Sequence, residues 1–270
     1  MAVISRTLDI SNICTTYTTE NTDRNLPHPK DKRDGPHIEW ENALKAHYGS
    51  YEPENKKKLW CPITKKWFSV VWECITAAHI VPHQIGFKNM EIMFGQPSKG
   101  FELMWSMDNG IIIDYRLEKM FDKAQVTLVG HKKPDGKPAE FTFVVLDDSV
   151  LEMDVHGVKV SGLDNTTLQF RNNERPGLKN VYWHFVTSLM RNHKLQREGF
   201  EQKILKLMDG RTWGNTGSWY DQSTLKYLAE HWGRTAQRFW GLKSRIWREC
   251  WLDCLLKTMQ DWWPLRSLQS

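Results

Sequence analysis

Residues 61–86 read CPITKKWFSVVWECITAAHIVPHQIG, and residues 108–122 read DNGIIIDYRLEKMFD. Two β-rich runs occupy the first stretch, about 60–63 and 67–76, the second dominated by Phe68, Val70, Val71, Trp72 and Ile75. Lys65 and Lys66 sit in the turn between them. Pro82 ends strand character just after His79, because proline donates nothing to a ladder. In the second stretch Ile113, Leu117, Met120 and Phe121 recur at helical spacing, which predicts a helix over 111–121. The decisive order is a histidine closing a strand, an Asn-Gly pair, and a helix bearing carboxylates.

That order is what a single-metal phosphodiesterase site needs. An imidazole removes a proton from water, while a divalent cation stabilises the leaving oxygen. Asp114, Glu118 and Asp122 are spaced i, i+4, i+8, which on one helix puts three carboxylates along one face.

The pattern Cys61-x-x-Thr64, Ala77-Ala78-His79-Ile80-x-Pro82, Asn109-Gly110 and Phe121-Asp122 resembles the HNH family, the ββα-metal endonucleases. In particular it resembles a branch found in many fungal proteins. The resemblance implies an α+β fold in which a ββα-metal motif is embedded in a larger mixed domain. It implies His79 as general base and Asn109 as the residue that orients it or braces the ribbon. It implies Mg²⁺ or Mn²⁺, or Zn²⁺, as cofactor and DNA as substrate. Two positions depart from the family pattern. Ala78 stands where an Asp or His often binds the metal, and the last H of the name falls on Glu118, which offers oxygen to Mg²⁺ or Mn²⁺.

Each residue also has a plainer reading. His79 fits a hydrogen-bonded histidine at a strand end, Asn109-Gly110 fits ordinary turn chemistry, and the carboxylates fit a solvated helix face. His83 lies four residues beyond His79, but Pro82 intervenes, so the two are not one helical metal-binding face and His83 takes a supporting role.

Around this centre, residues 1–37 are polar and contain PHPKDKRDGP, suiting a mobile arm. Residues 38–175 read as the α+β domain, opening on a short helix HIEWENALKAHYG and including a helical piece near 90–94. Strands are expected at 126–129 and 141–146, then a hairpin turn at His156-Gly157. From 176 to 270 the texture becomes helical, with candidates at 178–192, about 200–208, and 223–259. Eight of the chain's fourteen Trp fall between Trp213 and Trp263. At 100° per residue Trp232, Trp240, Trp247 and Trp251 form one stripe, and Arg234, Arg238, Arg245 and Arg248 lie roughly opposite. The arginine row reads either as a solvated face or as contacts to nucleic-acid phosphates.

A net charge of +5 is compatible with a nucleic-acid partner without demanding one. Five Cys without a C-x-x-C pair read as thiols of a reducing compartment. No signal-peptide pattern and no apolar run of about 18 residues appears, so the expected setting is intracellular, cytoplasmic or nuclear, with no membrane. Three functions follow: a metal-dependent DNA endonuclease, a degenerate nuclease fold that binds nucleic acid or protein, and a repurposed enzyme performing acid/base chemistry on a small molecule in an aromatic pocket. The first accounts for most of the pattern.

Overall fold

The computed structural model describes residues 35–70, 74–131, 133 and 137–194. Helix α1 (Gly35–His47) leads into strands β1 (Lys58–Cys61) and β2 (Lys66–Ser69), and strand β3 (Ile75–His79) follows. Two short helices, α2 (Phe87–Met93) and α3 (Gly100–Met104), fill the insert before strand β4 (Gly110–Asp114) and helix α4 (Tyr115–Asp122). Strands β5 (Val126–His131) and β6 (Glu140–Val145) and helix α5 (Leu178–Lys194) complete the described chain. Three antiparallel two-stranded sheets, β1–β2, β3–β4 and β5–β6, combine with these helices in an α+β architecture.

The expected helix over 111–121 is corrected by the structure: its first part is strand β4. Ile111, Ile112 and Ile113 are each 2% exposed or less, so both faces of the strand are covered. A strand buried on both sides shows a continuous apolar run instead of alternation, and β-branched residues suit it. Helix α4 begins only after Asp114, whose carboxylate accepts the Arg116 amide at 2.8 Å and caps the helix. The run read as one strand over 67–76 is likewise divided. Its ends are β2 and β3, which belong to different sheets.

Other expectations are met with small boundary shifts. The turn between β1 and β2 places Lys65 in the left-handed region (φ 56°), and Lys66 opens β2. His156 (φ 51°) and Gly157 (φ 79°) both take positive φ, as a primed hairpin turn requires, between the bridged residues Asp154 and Lys159. Helix α5 packs on β5 and buries Val181, Trp183 and Phe185. Among the described residues no helix is long and apolar enough to cross a membrane. Residues 1–34, the helices expected at 200–208 and 223–259, and Arg234, Arg238, Arg245 and Arg248 lie outside the described residues.

Candidate active site

His79 is the last residue of β3 and pairs with Gly110, the first of β4. Beyond it the chain is held by Asn109, which is fully buried. The Ile80 amide donates to the Asn109 carbonyl at 3.0 Å. The Val81 amide donates to Asn109 Oδ1 at 2.8 Å, and Asn109 Nδ2 donates to the carbonyls of Val81 (3.1 Å) and Met104 (3.0 Å). Asn180 Nδ2, from α5, donates to the same Oδ1 at 3.1 Å. The amide thus fills both donor and both acceptor positions, which a turn residue does not need to do.

Gly110 matters by size. Its φ of −133° is ordinary extended backbone. A Cβ there would lie 2.6 Å from Leu44 Cδ2 and 2.7 Å from Trp40 Cζ2, so the missing side chain admits helix α1. The Tyr48 hydroxyl reaches the carbonyls of Met107 and Gly110, both at 3.0 Å, and Trp40 Nε1 donates to the Ser106 carbonyl at 3.2 Å. Burial, with the Asp108 carboxylate nearby, pushes the Tyr48 phenol up, so it stays a neutral donor. Gly110→Ala is expected to destabilise the fold by about 1–3 kcal/mol through overpacking and to move Trp40 off His79. Urea unfolding measures this; an unchanged midpoint would show that α1 tolerates the methyl group.

The consequence for His79 is an aromatic enclosure. Its ring stacks on Trp40 (centroids 3.9 Å, planes 15° apart) and meets the Trp105 ring edge-on at 5.2 Å. The rings of His37 and His83 lie 5.7 and 6.2 Å away. Nε2 of His79 is buried with no hydrogen-bond partner among the described residues. Burial, reinforced by His37 and His83, pulls the imidazole down to about 3, so at neutral pH it is uncharged. The resting ring resists protonation, so it accepts a proton only once a neighbouring negative charge raises its affinity. Sequence reasoning missed His37, Trp40 and Trp105. His37 and Trp40, three apart on a helix, form a shared face but say nothing of what it covers.

The carboxylates are placed differently from the expected ladder. Asp114 is not on the helix face but at its cap, opposite Ile75, four strand residues from Gly110, or about 13 Å along the ribbon. The structure therefore does not bring it to His79. Its side chain is wholly buried, and Oδ2 approaches His156 Nε2 at 2.8 Å, an ion-pair distance without an aligned hydrogen bond. Burial pushes its carboxyl up, against the pull of the Arg116 amide and His156. Glu118 is half-buried on α4, and Asp122 is exposed at its end. Ala78 is 1% exposed, a core residue offering no ligand. Among the described residues no group of three or more His, Cys, Asp or Glu assembles that would hold a metal. His83 stands exposed on the short turn after Pro82, its ring 6.2 Å from that of His79.

A fully buried histidine elsewhere in the fold is structural. His184 of α5 stacks on Phe121 at 3.4 Å, donates from Nε2 to the Phe121 carbonyl, and faces the Thr127 hydroxyl at 3.1 Å from Nδ1. Burial holds it near 3 as well. Both imidazoles thus refuse a proton that the unfolded chain accepts from about pH 6.5 downward. Their contribution is complete above pH 6.5 and is lost as pH falls towards 3, at about 1.4 kcal/mol per pH unit each. The raised carboxyls Asp108 and Asp114 act in the opposite sense near the acid end. Between pH 7.5 and 5.5 unfolding stability is expected to drop by roughly 2–3 kcal/mol, with about half of the drop removed in His184→Gln. Urea titrations at the two pH values check it; a flat result refutes the two neutral buried rings.

No curated protein and no solved structure matches the chain. Residues 61–129, which run from the end of β1 through His79, Asn109 and α4 into β5, match the family model described as HNH endonuclease, and the match supports the HNH family for this segment.

Proposed function

We propose that this chain is an HNH-type endonuclease of the fungal-type branch, hydrolysing phosphodiester bonds of DNA with His79 as proton acceptor. The observation that carries the reading is the buried, unpartnered Nε2 of His79 at a strand end braced by Asn109, inside the segment that matches the family. Water attacks phosphorus, the new P–O bond forms as the bond to the sugar oxygen breaks, Nε2 takes the water's proton, and the departing oxygen carries off the electron pair and is protonated from solvent. A phosphodiester docked beside the ring adds negative charge and raises its proton affinity from the depressed resting value. Water reaches Nε2 only when one of the surrounding rings gives way, and His83 is the exposed one.

In such enzymes a divalent cation stabilises the leaving oxygen. The described residues do not fit that cation, because Asp114 is committed to the α4 cap and His156 and no three-ligand group assembles. The test is nicking of supercoiled plasmid by the full chain in Mg²⁺, Mn²⁺, Zn²⁺ or EDTA, with His79→Ala and Glu118→Gln in parallel. Nicking abolished by His79→Ala supports the reading, and its loss in EDTA and in Glu118→Gln would locate a cation at α4. No nicking in any metal sinks it. The aromatic enclosure of His79 favours a second reading, acid/base chemistry on a small molecule, which that negative result would promote.

A further inference from the structure

We propose that Phe87 and Phe101 form a stacking platform for unpaired nucleobases, so that substrate is taken as single-stranded nucleic acid; this rests on the phosphodiesterase reading of His79. Both phenyl rings face solvent, at 39% and 54% exposure, and their centroids are 5.4 Å apart. Adjacent exposed aromatics mark a binding surface more than a solvated one. The backbone is built to bring them together. A Cβ on Gly100 would lie 2.1 Å from the Phe87 carbonyl oxygen, so α2 and α3 meet at a position only glycine allows.

From the platform a continuous row of rings leads to His79. His83 lies 5.8 Å from Phe87 and 5.2 Å from Trp105, and Trp105 lies 5.2 Å from His79. Trp105 Nε1 is a buried donor with no partner among the described residues, on the path a ligand would follow. Exposed Lys88 follows Phe87, and exposed Lys99 stands two residues before Phe101, supplying charge of the sign a phosphate backbone needs. Glu102 is the exposed acid beside Phe101. A protein partner's apolar face also suits two phenyl rings, but it explains neither the lysines nor the path to the imidazole. Stacking is indifferent to base identity, so the platform selects strand state over sequence.

The experiment is fluorescence anisotropy of the full chain in EDTA, with a labelled oligothymidine and a labelled duplex of the same length. Phe87→Ala and Phe101→Ala are each expected to weaken oligothymidine binding by about 5- to 100-fold, with Phe101→Trp retaining it. Duplex binding is expected to change less than about twofold. Oligothymidine binding that is absent, or unchanged in both alanine variants, overturns the platform; so does equal loss on both DNA forms. Because binding is read without turnover, a protein that fails to nick leaves this readout intact. Conversely, His79-dependent nicking beside unaltered oligothymidine binding removes the platform alone.

Discussion

His79→Ala is expected to slow plasmid nicking by about 10²–10⁴-fold, the usual contribution of a positioned general base. The effect on stability is expected to be far smaller. Removing the ring gives up its stacking on Trp40 and leaves space beside Trp105, yet it also removes a buried nitrogen that has no partner. These terms oppose one another, leaving a net change within about 2 kcal/mol. A large kinetic loss with a nearly unchanged urea midpoint separates chemistry from folding. Equal nicking rates in the two proteins would remove His79 from the reaction. The neutral resting state adds a second signature. With the imidazole held near 3, nicking by folded enzyme should not lose its base through protonation between pH 8 and 6. A rate that follows a group titrating near the ordinary histidine value would place the base elsewhere.

Asn109→Leu is expected to be the most destabilising single change in the site, at roughly 3–5 kcal/mol. Leucine matches the side chain in volume, but it leaves the Val81 amide, the Val81 and Met104 carbonyls and the Asn180 amide without their partner. Each orphaned buried group costs about 1–3 kcal/mol, and the four do not add in full because neighbouring backbone relaxes. Asn109→Asp keeps the two accepting bonds and sets a carboxylate against two carbonyls, so it is expected to be little better. Urea unfolding reports the loss. Nicking under conditions where the variant remains folded reports whether the strand end of His79 depends on the brace. A cost below about 1 kcal/mol would show that Val81 is held by backbone pairing alone.

Both expectations rest on residues that the sequence pattern singles out before the fold is known. His79, Asn109 and the Phe121-Asp122 pair are legible because a short ordered pattern carries them, and the match to 61–129 covers the same stretch. That Asp114 leaves the helix carrying Glu118 and Asp122 was not legible, because Ile111–Ile113 is compatible with helix or strand by apolar content alone. The strand moved Asp114 to the far end of the ribbon and gave it His156 as neighbour, across forty-two residues of sequence. No local spacing reports such a pairing.

By itself the sequence determined helices α1 and α5, strands β5 and β6, the turns at Lys65 and His156-Gly157, and the stop after His79. These follow from side-chain branching, glycine, proline and hydrophobic period, all local properties of the chain. Only the tertiary structure decided that Trp40 and Trp105 enclose His79, that Gly110 is small to admit α1, and that Asn109 is fully bonded. Those depend on contacts between elements far apart in sequence, whose geometry is set by the packing of a shared core.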